Sequence, residues 1–424
     1  MMDYDNAYGY DQTPAAQDAF SADAFTGGAK IKVIGVGGAG NNAVNRLIDS
    51  GLRGAEYIVV NTDNQALALS KAPKRIRIGS ELTKGLGAGA DPTIGQRAAE
   101  QSKDELQAVL KDTDLLFITA GMGGGTGTGA APVIAKIAKD MKILTVAVVT
   151  LPFSFEARKR MDNATAGVDE LRKYVDSIII IPNDKIREVV PQNTSFTEAL
   201  RVADDVLRQG IRGITELIVN PSLINLDFAD VRTTLKGRGV AHMGIGVAKG
   251  EKRISDAVRC AVCSPLLNTT IEGATSVILN VVGGKDLSLD EVWVAADLVK
   301  GVIDYSANVI FGACIDENMN DEVEVVIIAT GFENQTITQS ASADAYRSAS
   351  QLNERIQRAE MGGTNGYPSM HQPQQPVIPM VESVPEAFEP DDPIPEVKEE
   401  QPVEKKRRPR FVDFFIKKKE KDNQ

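Results

Sequence analysis

Gly121-Met122-Gly123-Gly124-Gly125-Thr126-Gly127-Thr128-Gly129 is the stretch whose reading decides the fold. It follows an apolar run at residues 114–120 and precedes an Ala- and Ile-rich segment with helical spacing. Glycines in this density let consecutive backbone amides turn outward as an anion nest, and Thr126 and Thr128 add hydroxyl donors. The loop contains no lysine, so it is not a Walker motif. Negative charge must therefore be neutralised by backbone dipoles, a bound cation and a few side chains.

A second glycine loop lies upstream. Gly35-Val36-Gly37-Gly38-Ala39-Gly40 separates a Val/Ile run at 31–36 from a helical segment that opens with Asn41-Asn42. It satisfies G-x-G-x-x-G between strand and helix, where small residues admit a phosphate to the free amides of a helix N-terminus. Asp63 follows the next strand-like run, 56–61, where a dehydrogenase would place a carboxylate on a ribose hydroxyl. Alone, this loop fits a nicotinamide-dependent oxidoreductase nearly as well as a nucleotide hydrolase. Two phosphate-cradling loops on one sheet point instead to a polyphosphate gripped from two sides.

Around these loops, apolar runs at 31–36, 56–61, 114–120, 142–150 and 177–182 alternate with amphipathic or Ala-rich segments. That pattern predicts an α/β fold, with a Rossmann-like parallel sheet covered on both faces by helices. Residues 30–195 form the expected first domain. Residues 196–218 read as one long helix, opened by the capping box Ser195-Phe196-Thr197-Glu198 and apolar around much of its circumference, as a helix wedged between two domains would be. A smaller α+β domain is expected at 219–332, with one sheet, strands near 244–248, 276–282, 308–315 and 323–329, and a helix capped by Ser288-Leu289-Asp290-Glu291. Residues 1–29 read as a flexible arm, and 333–404 as a disordered linker rich in Gln, Ser, Asn, Pro and Glu.

Composition narrows the function. The net charge of −11 over 424 residues disfavours nucleic acid as a partner. No apolar stretch is long enough to insert into a bilayer, and the acidic, Tyr-rich start is unlike a secretory signal. Three cysteines suit a reducing compartment, so a cytoplasmic location is expected. Cys260-Ala261-Val262-Cys263 has C-x-x-C spacing without a second ligand pair, and buried structural thiols are the expectation there. No protein metal site is expected; His242 reads as packing.

Gly123 to Gly129, GGGTGTG, resembles the signature of the tubulin/FtsZ GTPase family. The loop Gly37-Gly38-Ala39-Gly40-Asn41-Asn42, the loop Gly87-Ala88-Gly89-Ala90 and the segment Asn225-Leu226-Asp227-Phe228-Ala229-Asp230 agree with it. The similarity spans about residues 30–330, and it favours the bacterial cell-division branch over tubulin because the chain is short. The resemblance implies GTP or GDP as ligand, with Mg2+ bound alongside the nucleotide. It implies that Gly37, Gly38, Ala39, Gly40, Asn41 and Asn42 bind from the first loop, and Gly124, Gly125, Thr126, Gly127 and Thr128 from the second. Glu156 then matches a ribose ligand with Arg160 behind it; read alone, the two form an i,i+4 surface ion pair. Base recognition falls to Asn183 and Asp204, with Asp205 the weaker candidate, while Leu200 stands where many relatives carry Phe.

Asp227 and Asp230, with Asn225, are the implied catalytic set. Read alone, two Asp near a helix start are ordinary dipole partners. The resemblance places them far from their own nucleotide, so that head-to-tail stacking presents them to the next subunit's γ-phosphate and catalysis is completed in trans. It further implies a homopolymer that forms the division ring on the inner face of the membrane. Residues 405–424, where Phe411, Phe414 and Phe415 sit between clusters of Lys and Arg, are the expected docking peptide for membrane-tethering and regulatory division proteins. An oxidoreductase leaves the second loop unused; a non-catalytic scaffold, in which nucleotide only stabilises the fold, is the third reading.

Overall fold

The computed structural model describes residues 29–189, 194–219, 227–264, 271, 273–303, 306–317 and 319–332. The arm, the linker, the docking peptide and Asn225 lie outside these residues.

Six strands build the first part: β1 (Ile31–Val36), β2 (Ala55–Asn61), β3 (Lys74–Arg77), β4 (Leu115–Gly121), β5 (Leu144–Leu151) and β6 (Ser177–Pro182). All neighbouring pairs among them are parallel, in the order β3-β2-β1-β4-β5-β6. This is the doubly wound dinucleotide-binding order, whose direction reverses between β1 and β4. Strands buried on both faces read as continuous apolar runs, and β1, β4 and β5 are buried almost throughout. Alternate residues serve opposite layers. Val33, Phe117 and Val148 pack toward the helices Gly37–Asp49 and Phe196–Val219, whereas Ile34, Ile118 and Val149 pack toward Thr126–Asp140 and Arg158–Arg172.

The helix Phe196–Val219, the central helix, opens with Ser195 Oγ accepting from the Glu198 amide at 3.2 Å. At 24 residues it is about 36 Å long. Its Val206, Leu207, Ile211, Ile214 and Leu217 share one core with Val148 on β5 and with Ile278, Val326 and Ile328 further along the chain. Two apolar faces clamp it, which explains its wide apolar circumference. Its Asp204, two turns in, meets Arg46 in the last turn of Gly37–Asp49, and its last residue, Val219, lies against Gly54, just before β2. It therefore runs antiparallel to the sheet.

The remaining strands are β7 (Gly239–Lys249), β8 (Ser276–Gly283), β9 (Asn308–Ile315) and β10 (Glu322–Thr330), in the order β7-β10-β8-β9. Helices Arg253–Val262 and Leu289–Lys300 cover the face away from the central helix. The capping box at Ser288 forms in both directions: the Glu291 amide donates to Ser288 Oγ (3.2 Å), and the Ser288 amide to Glu291 Oε2 (2.9 Å). One expectation needs correcting. The second half has no separate sheet, because β7 begins five residues earlier than its apolar core and pairs Gly239 and Val240 with β6, joining all ten strands. The paired stretch lacked a strand-like pattern because its Gly239 and Val240 are only half-buried.

Candidate nucleotide-phosphate site

The first glycine loop is not a loop preceding a helix; it is the helix's first turn. The helix begins at Gly37, whose φ of +72° favours glycine, and a Cβ there would lie 2.9 Å from the Gly127 amide nitrogen. The two glycine segments therefore touch at the β1/β4 switch point, where open α/β sheets receive ligands. Asn41 is buried and turned inward, its amide nitrogen 2.9 Å from the Gly37 carbonyl and 3.2 Å from that of Gly35. It braces the turn. Gly38 and Asn42 face outward, and among the described residues nothing beyond the helix's own backbone approaches within 4 Å of a Cβ at Gly38.

The second segment is built the same way. The helix Thr126–Asp140 begins inside the motif, so the amides of Thr126, Gly127 and Thr128 belong to an orphan first turn at the positive end of a fifteen-residue helix. Gly124 also has open space on its Cβ side. The threonine hydroxyls, expected to point at a ligand, are engaged within the protein. Thr128 Oγ1 accepts from the Gly123 amide at 2.8 Å, and Thr126 Oγ1 lies 2.7 Å from Thr62 Oγ1, all buried. The helix Pro92–Gln101 presses on the loop from behind, so closely that a Cβ on Gly129 would stand 2.0 Å from the Pro92 carbonyl oxygen.

The other carboxyl ends complete the rim. After β5, the turn Ser154–Glu156 is held by Asp184, whose Oδ1 accepts from the Ser154 amide (3.0 Å). Glu156 Oε1 accepts from the Phe153 amide (2.9 Å) and Oε2 meets Arg160 Nη1 at 3.1 Å. The ion pair thus forms, although Ala157 at φ +82° interrupts the helix between the partners. After β6, Asn183 is 8% exposed, and its Oδ1 is buried without a hydrogen-bond partner among the described residues. An orphaned acceptor of that kind costs stability unless a ligand satisfies it. Asp204 pairs with Arg46 (3.0 Å); burial raises its pKa and Arg46 pulls it back down. Asp205 is spent on its own helix, with Arg208 (2.6 Å) and Gln209 (2.9 Å). Leu200 is 39% exposed, an apolar surface one turn before Asp204.

Asp227 and Asp230 lie elsewhere. Asp227 caps the helix Phe228–Leu235 through the Ala229 amide (3.3 Å), Asp230 sits in its first turn, and both are exposed. The far end of that helix is tied to the start of β6, where Ser177 Oγ donates to the Leu235 carbonyl at 2.6 Å. That is the sheet edge opposite the glycine turns. The structure does not bring these acids to the glycine turns of the same subunit.

Three further outcomes correct or extend the sequence reading. Asp63 caps the helix Asn64–Ala68, accepting from the Gln65 amide at 2.8 Å, rather than standing free for a ribose. Cys260 and Cys263 are exposed, not buried, because they fall on the solvent side of Arg253–Val262 while Ala257, Val258, Ala261 and Val262 fill the core. Thr62 was missed; only folding brings it against Thr126, 64 residues away.

Fold and site together define an open parallel-sheet phosphate binder with a glycine turn on each side of its switch point. Residues 30–191 match the description "Tubulin/FtsZ family, GTPase domain", and residues 239–333 match "FtsZ family, C-terminal domain". A solved FtsZ dimer from M. jannaschii is 46% identical, with a TM-score of 0.70, covering 73% of this chain and 91% of its own. A mutant FtsZ from the same organism is also 46% identical, with a TM-score of 0.71 and coverage of 74% and 95%. A GTPgS-bound CetZ2 protofilament from Haloferax volcanii shares the fold at 20% identity, with a TM-score of 0.62 and coverage of 78% and 99%. The chain belongs to the tubulin/FtsZ family of GTPases, on its FtsZ branch.

Proposed function

We propose that this chain binds GTP across the two glycine turns and hydrolyses it when a neighbouring subunit supplies the carboxylates. The observation that carries the reading is the contact of Gly37 with Gly127, which aims two helix N-termini at one space. In this reading Gly37, Gly38, Ala39, Gly40 and Asn42, braced by Asn41, and Gly124, Gly125, Thr126, Gly127 and Thr128, hold the phosphates largely through backbone amides. Glu156 and Arg160 border the ribose. Asn183 offers its unpaired oxygen to the base, whose N–H groups match guanine, with Asp204 alongside. Residues 30–195 bind nucleotide, 196–218 connect, and 219–332 complete the junction. No group of three or more acidic, His or Cys side chains is poised for a metal among the described residues, so Mg2+ would ride mainly on the triphosphate, where it neutralises charge.

Asp227 and Asp230, with Asn225, orient or activate the attacking water of the next subunit. Their position at the edge opposite the glycine turns supports action in trans. Such a contact is heterologous and propagates into a filament. The GTPgS-bound protofilament of CetZ2 and the dimer of M. jannaschii FtsZ are assemblies of related chains, and they support self-association here. We place the filament at the division ring on the inner face of the membrane, with residues 405–424 recruiting tethering and regulatory proteins. Phosphate release and sedimentation measured against protein concentration test this. Specific activity should rise with concentration alongside polymer, whereas a constant specific rate would overturn the shared active site.

A further inference from the structure

Leu289 and Trp293 stand one helical turn apart on Leu289–Lys300 and are 81% and 59% exposed. Exposing the chain's single Trp beside a Leu leaves an apolar patch that a covering segment would stabilise. Acidic residues flank it. Asp290 and Asp297, three before and four after Trp293, are exposed and make no ion pair among the described residues. Their neighbours Asp286 and Glu291 differ, both being held by Arg253.

We propose that this face is the docking site of the chain's own C-terminal segment, residues 405–424. The chemistry matches on both counts. Phe411, Phe414, Phe415 and Ile416 supply rings and an aliphatic side chain for Leu289 and Trp293. Lys405, Lys406, Arg407, Arg408 and Lys417 to Lys419 supply positive charge for Asp290 and Asp297, in a chain whose net charge is −11. Distance permits it as well. The described chain ends at Phe332, two residues beyond β10, which runs antiparallel to β8. The exit is therefore about one strand length, roughly 25 Å, from the start of Leu289–Lys300. At random-coil dimensions the 72 residues of 333–404 would span about 45 Å. A segment seated on Trp293 has its rings covered and cannot hold an adaptor at the same time, so docking would withhold the tail until a tighter partner competes. The inference does not depend on where GTP is hydrolysed.

Trp293 is its own reporter. In the dilute full-length protein without GTP, Trp293 should emit to the blue and resist acrylamide. Replacing Phe414→Ser and Phe415→Ser should raise the quenching constant by roughly twofold, since quenching follows the uncovered ring area. Asp290→Lys with Asp297→Lys should do the same, and Lys417→Glu, Lys418→Glu and Lys419→Glu in that background should restore protection. Thermal unfolding recorded for each variant excludes loss of fold. Equal quenching in the parent and the tail variants would overturn the proposal. Protection that disappears on dilution would overturn it too, by identifying a second copy as the cover.

Discussion

Arg46 Nε lies 3.0 Å from Asp204 Oδ2, joining the helix that starts in the first glycine turn to the central helix that ends near the opposite edge of the sheet. One ion pair thus connects the element that presents amides to a ligand with the element leading toward Asp227.

Arg46→Met should leave the half-buried Asp204 carboxylate without its counter-ion and cost about 1–3 kcal/mol at neutral pH. Burial is the larger influence on Asp204 and already raises its pKa, so without Arg46 it should rise further. A raised carboxyl costs stability only once it ionises. The deficit should therefore grow as pH climbs from the ordinary value of 3.8 through the raised folded one. Urea unfolding of both proteins across that range measures it.

Gly38 and Gly40 should separate binding from folding. Among the described residues nothing beyond the helix's own backbone lies within 4 Å of a Cβ at Gly38, whereas one at Gly40 would strike the Thr119 carbonyl oxygen at 2.4 Å. Gly38→Ala is expected to fold normally yet bind GTP at least roughly tenfold more weakly, since the methyl occupies phosphate space. Gly40→Ala should lower the melting temperature outright. Nucleotide titration and thermal melts, run side by side, check the pair.

Asp230→Ala is expected to abolish turnover while GTP affinity stays within about a factor of two, the residue lying at the far sheet edge. Mixed with Gly38→Ala subunits, it should regain activity at junctions that combine an intact glycine turn with an intact Asp230. If the mixture hydrolyses no faster than its parts, catalysis in trans is wrong.

His242 is half-buried, with its ring edge-on to Phe332 at 4.4 Å, and the loss of solvent around it pushes its pKa down to about 4. A depressed His binds its proton in the unfolded chain first, so stability is full above about 6.5 and falls as pH drops toward 4. The loss approaches roughly 3 kcal/mol, at about 1.36 kcal/mol per pKa unit. His242→Gln should flatten that part of the stability curve in chemical denaturation.

Much of this was legible in the chain. The apolar runs around Val33, Phe117 and Val148 announced strands buried on both faces, because such strands cannot alternate with polar residues. The glycine clusters at 35–40 and 121–129 announced tight turns between strand and helix, since few other residues let a backbone come so close. Contacts between distant residues were not legible. Short segments such as Lys74–Arg77, and the pairing of Gly239 with Ser177 that fuses the sheets, carry no local period.

Residue type and spacing settled the fold class and the family, because those depend on local backbone freedom and on apolar periodicity. Three-dimensional packing alone settled which side chains face the site. It turned Asn41 and the Thr126 and Thr128 hydroxyls inward, left Asn183 Oδ1 unpaired, set Asp227 at the opposite edge and exposed Cys260, Cys263 and Trp293. The reason is physical: a side chain's direction and partners are fixed by neighbours brought from elsewhere in the chain, and no window of sequence contains them.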